Sequence, residues 1–501
     1  MRRDTAHAVS DPATMKTAAA CAFVLLLSAP AAAQRTVGVG SAAELEGAVR
    51  DAVAGDTIVL ASGTYALGHR LDTRAAGTAA LPIVVRAASR GTALVRFSPA
   101  AGIVEGFVVA HPHWHFEDLV LEGDCVDHSA CEHAWHVVGD ADFTVIRGNV
   151  ARGFNAHIKA NGADLDGARP YPDDVLVEGN EFYGEGPRMT ANPVTPIDVV
   201  GGRRWVIRAN FIHDHHKGMG DGVSYAAFLK GNGRHGVIER NLVVCELLHT
   251  GGTRLGLSFG GGGSGPDRIC EDRDCSVEHQ GGVMRNNIVA HCPADVGIYV
   301  NECAGCAIVH NTVFDATGID LRFATTDVVV AGNLTSGRIR DRDGAISVRE
   351  NNLEEVTAWT TYFVDPDALD FGLLDGSAIV DLGGARADVP DDFCGNLRDD
   401  GMPDLGAVEH DGDGPCDTTR AHPGAPPTPG SDAGVAGEDA GATRDGGTFE
   451  DGGALALDGG PGDADAGCGC SGPGARVPTA WLASPLLLGT LFALRGRRRS
   501  P

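Results

Sequence analysis

The side chains best suited to chemistry crowd into one stretch, HDHHKGMGDGVSYAAFLKGNGRHGVIERN, from His213 to Asn241. An amine such as Lys230 or an imidazole such as His215 can take a proton from carbon when held against it. Arg234 and Arg254 can grip a carboxylate through paired N–H donors and carry the charge that develops on it. Arg204, Lys217, Tyr225 and His216 lie around them as ligand-contacting candidates. Between Arg203 and Arg254 there are eight basic residues and four acidic ones, within a chain of net charge −27. A basic island in an acidic chain marks an anion site. The chemistry this set suits is removal of the weakly acidic proton beside a carboxylate.

Other residues permit other chemistry. Asp198, Asp214 and Asp221 could supply the paired carboxylates of a hydrolase or oxygen ligands for Ca2+. His111, His113 and His115 alternate, so on a strand they would share a face, and His213, His215 and His216 form a second group. Neither group has a cysteine or carboxylate at a zinc-site spacing, which favours sugar-contacting or polar roles over a metal. Gly260–Gly265 lacks the lysine and following helix of a phosphate loop and reads instead as a flap over a groove, tied by Cys270 and Cys275. The overall acidity excludes nucleic acid as a partner, since phosphate binding needs clustered Lys and Arg.

What must position these groups is a repeat. The phrase VIRGNV, ending at Val150, returns as LVEGNE, VIRANF, VIERNL, VMRNNI, IVHNTV, VVAGNL and VRENNL. It places Asn149, Asn180, Asn210, Asn241, Asn287, Asn311, Asn333 and Asn352 at spacings of 19 to 46 residues. Recurrence at that period signals a solenoid. Each phrase is short, rich in Val and Ile and bounded by Gly, Asn or Asp, which are strand signals. One strand per coil, stacked in parallel, makes an all-β, right-handed parallel β-helix. The asparagines then form a corner ladder, with Asn tolerating left-handed backbone; their role is structural. Ser41 and Glu44 form a capping box for a helix through Ala54 that covers the open end, followed by a strand over Asp56–Leu60.

The chain divides into residues 1–33, 34–410, 411–470 and 471–501. The first carries Met15-Lys16, an apolar run and Ala31-Ala32-Ala33, the pattern of an export signal. The second is the β-helix. The third holds twelve acidic residues against two basic ones and few large apolar side chains, so it is expected to be a disordered spacer. The fourth holds a short apolar run from Trp481 to Leu494 and then arginines, which would anchor it in the envelope membrane. With export, ten cysteines remain between signal and tail, and local pairing gives Cys125–Cys131, Cys270–Cys275, Cys303–Cys306 and Cys394–Cys416, leaving Cys245 and Cys292.

Three resemblances add to this. The opening from Val37 to Tyr65, with LPIVVRAASRGTALVRF after it, resembles the polysaccharide lyases related to chondroitinase B and alginate lyase, within the pectate-lyase-like β-helix superfamily. The segment DFCGNLRDDGMPDLGAVEH resembles the closing turn of secreted β-helix proteins. Cys468-Gly469-Cys470, the apolar run and the arginines resemble a myxobacterial-type C-terminal sorting tail, which implies cell-surface anchoring or release after processing. The lyase resemblance implies β-elimination on an acidic, uronate-containing polysaccharide, with Lys230 as base and Arg254, about one coil later, assisting. It also implies calcium, but Val223 and Tyr225 stand where that family's acidic pair precedes the lysine. The rival expectations are a non-catalytic carbohydrate-binding or adhesion protein and a polysaccharide hydrolase. The β-helix is expected to be monomeric.

Overall fold

The computed structural model describes residues 34–100, 102–165, 168–399, 401–410 and 416–419. The export signal, nearly all of the acidic spacer and the sorting tail lie outside these residues. Among the described residues no helix is long and apolar enough to cross a membrane.

The chain is a parallel β-helix. Three sheets of 14, 10 and 10 strands run its length, and the pairings within them are parallel. Each coil therefore gives a strand to each of three faces, where a single strand per coil was expected. The reason lies in the repeated phrase, which spans a corner: Val145–Arg147 belongs to the first sheet and Val150–Arg152 to the third. Gly148 and Asn149 make the turn between them.

At that corner the residue before the asparagine takes the left-handed conformation. Gly148, Gly179, Ala209, Arg240, Asn286, His310, Gly332 and Asn351 all have φ between 49° and 68°. The ladder asparagines were expected to adopt this conformation themselves. Asn149 to Asn333 are instead buried, and the ladder spends its amides between coils: Asn180 Oδ1 accepts from both N–H and Nδ2 of Asn149, while Asn180 Nδ2 donates to Ile146 O. The pattern continues without a break to Asn352.

Inward-facing residues of the three sheets fill one continuous core that includes Phe116, Trp135, Ile158, Phe182, Ile197, Leu229 and Phe259. The capping helix spans Ala42–Arg50, ending one turn before the expected Ala54, and buries Leu45 and Val49 against the first coils. Ser41 accepts from Glu44 N, and Glu44 Oε2 accepts from Gly40 N. All four local disulfides form, and Cys245 joins Cys292.

The closing segment is more than a boundary. With the residues before it, from Val356 on, it folds back along the outer face of the third sheet, where Trp359, Phe363, Phe371 and Phe393 cover Leu242, Val244, Ile288 and Ala290. Gly406 N donates to Gly332 O and Ala407 N to Thr312 Oγ1.

Candidate functional site

The second sheet carries the site. On strand Val223–Lys230, Ala227 and Leu229 point into the core, so Phe228 and Lys230 stand on the outer face. The register across coils then lines up one outer row: His136, Lys159, Asp198, Phe228, Ser258, Tyr299, Asp320 and Arg340. Neighbours in this row are about 4.8 Å apart at the backbone.

Its centre is a contiguous patch. Lys159 Nζ lies 3.1 Å from Asp198 Oδ2. Asp198 is 5% exposed, and its Oδ1 is buried with no hydrogen-bond partner among the described residues. Lys230 reaches back so that Nζ lies 4.7 Å over the Phe228 ring, and it donates to Gly263 O at 3.1 Å. Lys159 and Lys230 are two coils and two residues apart on this face, about 12 Å at the backbone. A shallow pocket beside the patch is lined by Pro193, Lys217, Asp221, Val223, Tyr225 and Phe228.

Gly260–Gly265 closes over the Lys230 end. Besides the Gly263 contact, Ser264 donates through N and Oγ to Glu278, whose Oε2 also accepts from Gly231 N. Burial raises the Glu278 carboxyl above its ordinary range. Burial, and then Glu278 itself, push Glu302 up to about 7.

The predicted catalytic set does not assemble. Arg254 pairs in register with Ser224, six residues along the strand from Lys230, which separates the two by about 20 Å. Arg254 is 1% exposed, and its guanidinium is spent on Gly251 O, Cys245 O, His216 and His249. Arg234 lies on the first sheet, bonded to Asn232. His215 is enclosed, with Nε2 against Leu255 O, and burial lowers it to about 3, which leaves a neutral ring turned onto the backbone.

Among the ligand-contacting candidates, Lys217 pairs with Asp221 at 2.8 Å and Tyr225 packs on Phe228, both beside the patch. His216 braces Arg254, and Arg204 pairs with Asp174. The three calcium candidates go separate ways. Asp214 is fully buried and accepts from the backbone of Leu247, Leu248 and His249, Asp221 binds Lys217, and Asp198 binds Lys159. They share no coordination centre and do not fit a calcium ion.

The histidines regroup as well. Of His111, His113 and His115 only His115 is on a strand; His113 has φ 58° and His111 bonds Thr73, so they do not share a face. The cluster that does form is one that spacing did not suggest: Glu105, His133 and His136 place three ligand atoms within 4.8 Å of one another. Burial pushes the Glu105 carboxyl up, but the two imidazoles outweigh it and hold the group far below its usual range. His133 and His136 are three apart, a spacing that on a regular strand puts side chains on opposite faces. Lys159 was missed for a related reason, because coil register could not be counted across loops of unequal length.

No protein-family profile and no curated protein matches this chain. Solved structures do. The pectate lyase Pel9A is similar over 76% of this chain and 97% of its own, with a TM-score of 0.53 and 14% identity. A rhamnogalacturonan lyase aligns over 67% and 92% at TM-score 0.45 and 14% identity, and an alginate lyase from Paenibacillus sp. str. FPU-7 over 64% and 100% at 0.35 and 14%. The first of these establishes the class, a parallel β-helix like that of a pectate lyase.

Proposed function

We propose that the protein acts on an acidic, uronate-containing polysaccharide laid across the outer row of the second sheet, and cleaves it by β-elimination. The observation that carries this reading is the patch Lys159–Asp198–Phe228–Lys230, in which two amines flank a ring and a carboxylate oxygen that lacks a partner among the described residues. Lys159 faces the sugar carboxylate, Phe228 its apolar face, and Asp198 Oδ1 accepts from a sugar hydroxyl. Lys230 takes the proton from the carbon bearing the carboxylate. That electron pair forms a double bond to the next carbon, whose glycosidic oxygen leaves with its bonding pair. Phe228 and Lys230 are each 2% exposed, so substrate entry must lift the Gly260–Gly265 turn from both and displace Gly263 O from the amine.

A second reading, carbohydrate binding without cleavage, is favoured by that same Gly263 contact and by the full engagement of Arg254. Incubation of the full chain with alginate, pectate and chondroitin sulfate, followed near 232 nm where unsaturated uronates absorb, separates the two. A rise lost in both Lys230→Ala and Lys159→Ala supports elimination at this patch. Binding without a rise selects the second reading, and neither binding nor a rise overturns both.

A further inference from the structure

We infer that Glu105, His133 and His136 form a binding site for a divalent transition-metal ion of the zinc or cobalt kind. His136 Nε2 lies 2.8 Å from Asn161 Oδ1, an amide oxygen that only accepts, so Nε2 carries the hydrogen. His136 Nδ1, the other ring nitrogen, faces Glu105 Oε1 at 2.6 Å. His133 Nδ1 faces the same oxygen at 3.0 Å. Three potential ligand atoms, all within 4.8 Å of one another, thus converge on one point, where a metal ion can replace the protons that otherwise bridge them.

A metal ion joins all three with one centre. Two ligands each about 2.0 Å from a tetrahedral ion are about 3.3 Å apart, so only small side-chain adjustment admits it. Imidazole with carboxylate suits zinc and its neighbours over calcium. The outer positions are already filled as such a site needs: Asn161 orients His136, and Arg70 Nη1 holds Glu105 Oε2 at 3.4 Å. The three side chains are 16 to 20% exposed, so an ion can enter from solvent. Three protein ligands leave a coordination position open, beside Lys159 in the adjacent strand. The site stands independently of the polysaccharide reading.

The test is titration of metal-stripped full-length protein with Zn2+ by calorimetry and with Co2+ by visible absorption. The expected result is one ion per chain, a Co2+ spectrum of nitrogen-and-oxygen coordination, and a thermal transition raised by Zn2+. His133→Ala, His136→Ala and Glu105→Gln should each weaken binding at least 100-fold, and Asn161→Ala, acting through His136, about 10-fold or more. His111→Ala should leave binding unchanged, and circular dichroism checks that each variant folds. Absence of stoichiometric binding, or binding that survives all three ligand substitutions in folded variants, overturns the site and leaves a proton-bridged cluster.

Discussion

Asn241 Oδ1 accepts two hydrogen bonds from Asn210, one from the backbone N–H and one from Nδ2, each 3.0 Å long. One buried oxygen thus satisfies two donors of the previous coil, while Asn241 Nδ2 donates to Ile207 O and to Asn287 Oδ1. Replacing Asn241 by Ala strands the buried Asn210 N–H and breaks the ladder at its centre. The expected cost is about 3 kcal/mol, since each orphaned buried group costs about 1–3 kcal/mol. Asn241→Asp should also destabilise, because the carboxylate keeps the acceptor but loses both donors. Calorimetric melting of the two variants measures this.

Acid should unfold the protein through its buried histidines. Burial lowers His157, His215, His279 and His310 to about 3, against an unfolded value near 6.5. The unfolded chain therefore binds more protons below that value. The stability these rings contribute is complete above about pH 6.5 and is lost as pH falls toward 3. Denaturant titrations at pH 7, 5 and 4 should show a steady decline. His157→Phe, which keeps the stacking on Phe182 at 5.4 Å, should flatten the slope.

The Cys245–Cys292 bridge spans 47 residues and ties the coil of Leu242–Val244 to the next, that of Ile288–Cys292. By loop-closure entropy its removal should cost up to about 4 kcal/mol, more than removal of Cys303–Cys306 with a separation of 3. Paired Cys→Ala variants of each bridge, compared by thermal denaturation, should rank in that order.

Gly256 lies where two backbones nearly touch. A Cβ there would stand 2.2 Å from Gly297 O and 2.7 Å from Val289 Cγ1. Gly256→Ala should cost about 2 kcal/mol or more through overpacking. Gly265→Ala, which meets nothing within 4 Å, should be nearly silent, and the two melting curves give the comparison.

The fold was legible in the sequence because the ladder restricts residue identity: a buried amide that must donate and accept between coils leaves few options besides asparagine, so the phrase recurs. The capping box and the short-range cysteine pairs were legible because their partners are local. The outer row was not. Lys159, Asp198 and Phe228 meet only through the register of successive coils, and loops of different lengths hide that register. Lys230 and Arg254 showed the reverse failure, since their one-coil spacing is real but six residues of strand offset keep them apart. His133 and His136 converge with Glu105 against the alternation that a strand predicts.

The last coil ends in strands Arg338–Arg342 and Ile346–Glu350, each paired on one side only among the described residues. A parallel stack of this kind has no intrinsic length, so an unprotected final strand would accept another molecule's strand and grow into a filament. Here that terminus bears Arg338, Arg340, Arg342, Arg349 and Glu350, with Arg340 and Arg342 both drawn to Asp320. Any added strand would have to strip water from this row of charge. The termination of the stack is therefore written into its final residues, and replacing those arginines with threonine or valine would be expected to turn a discrete particle into fibres.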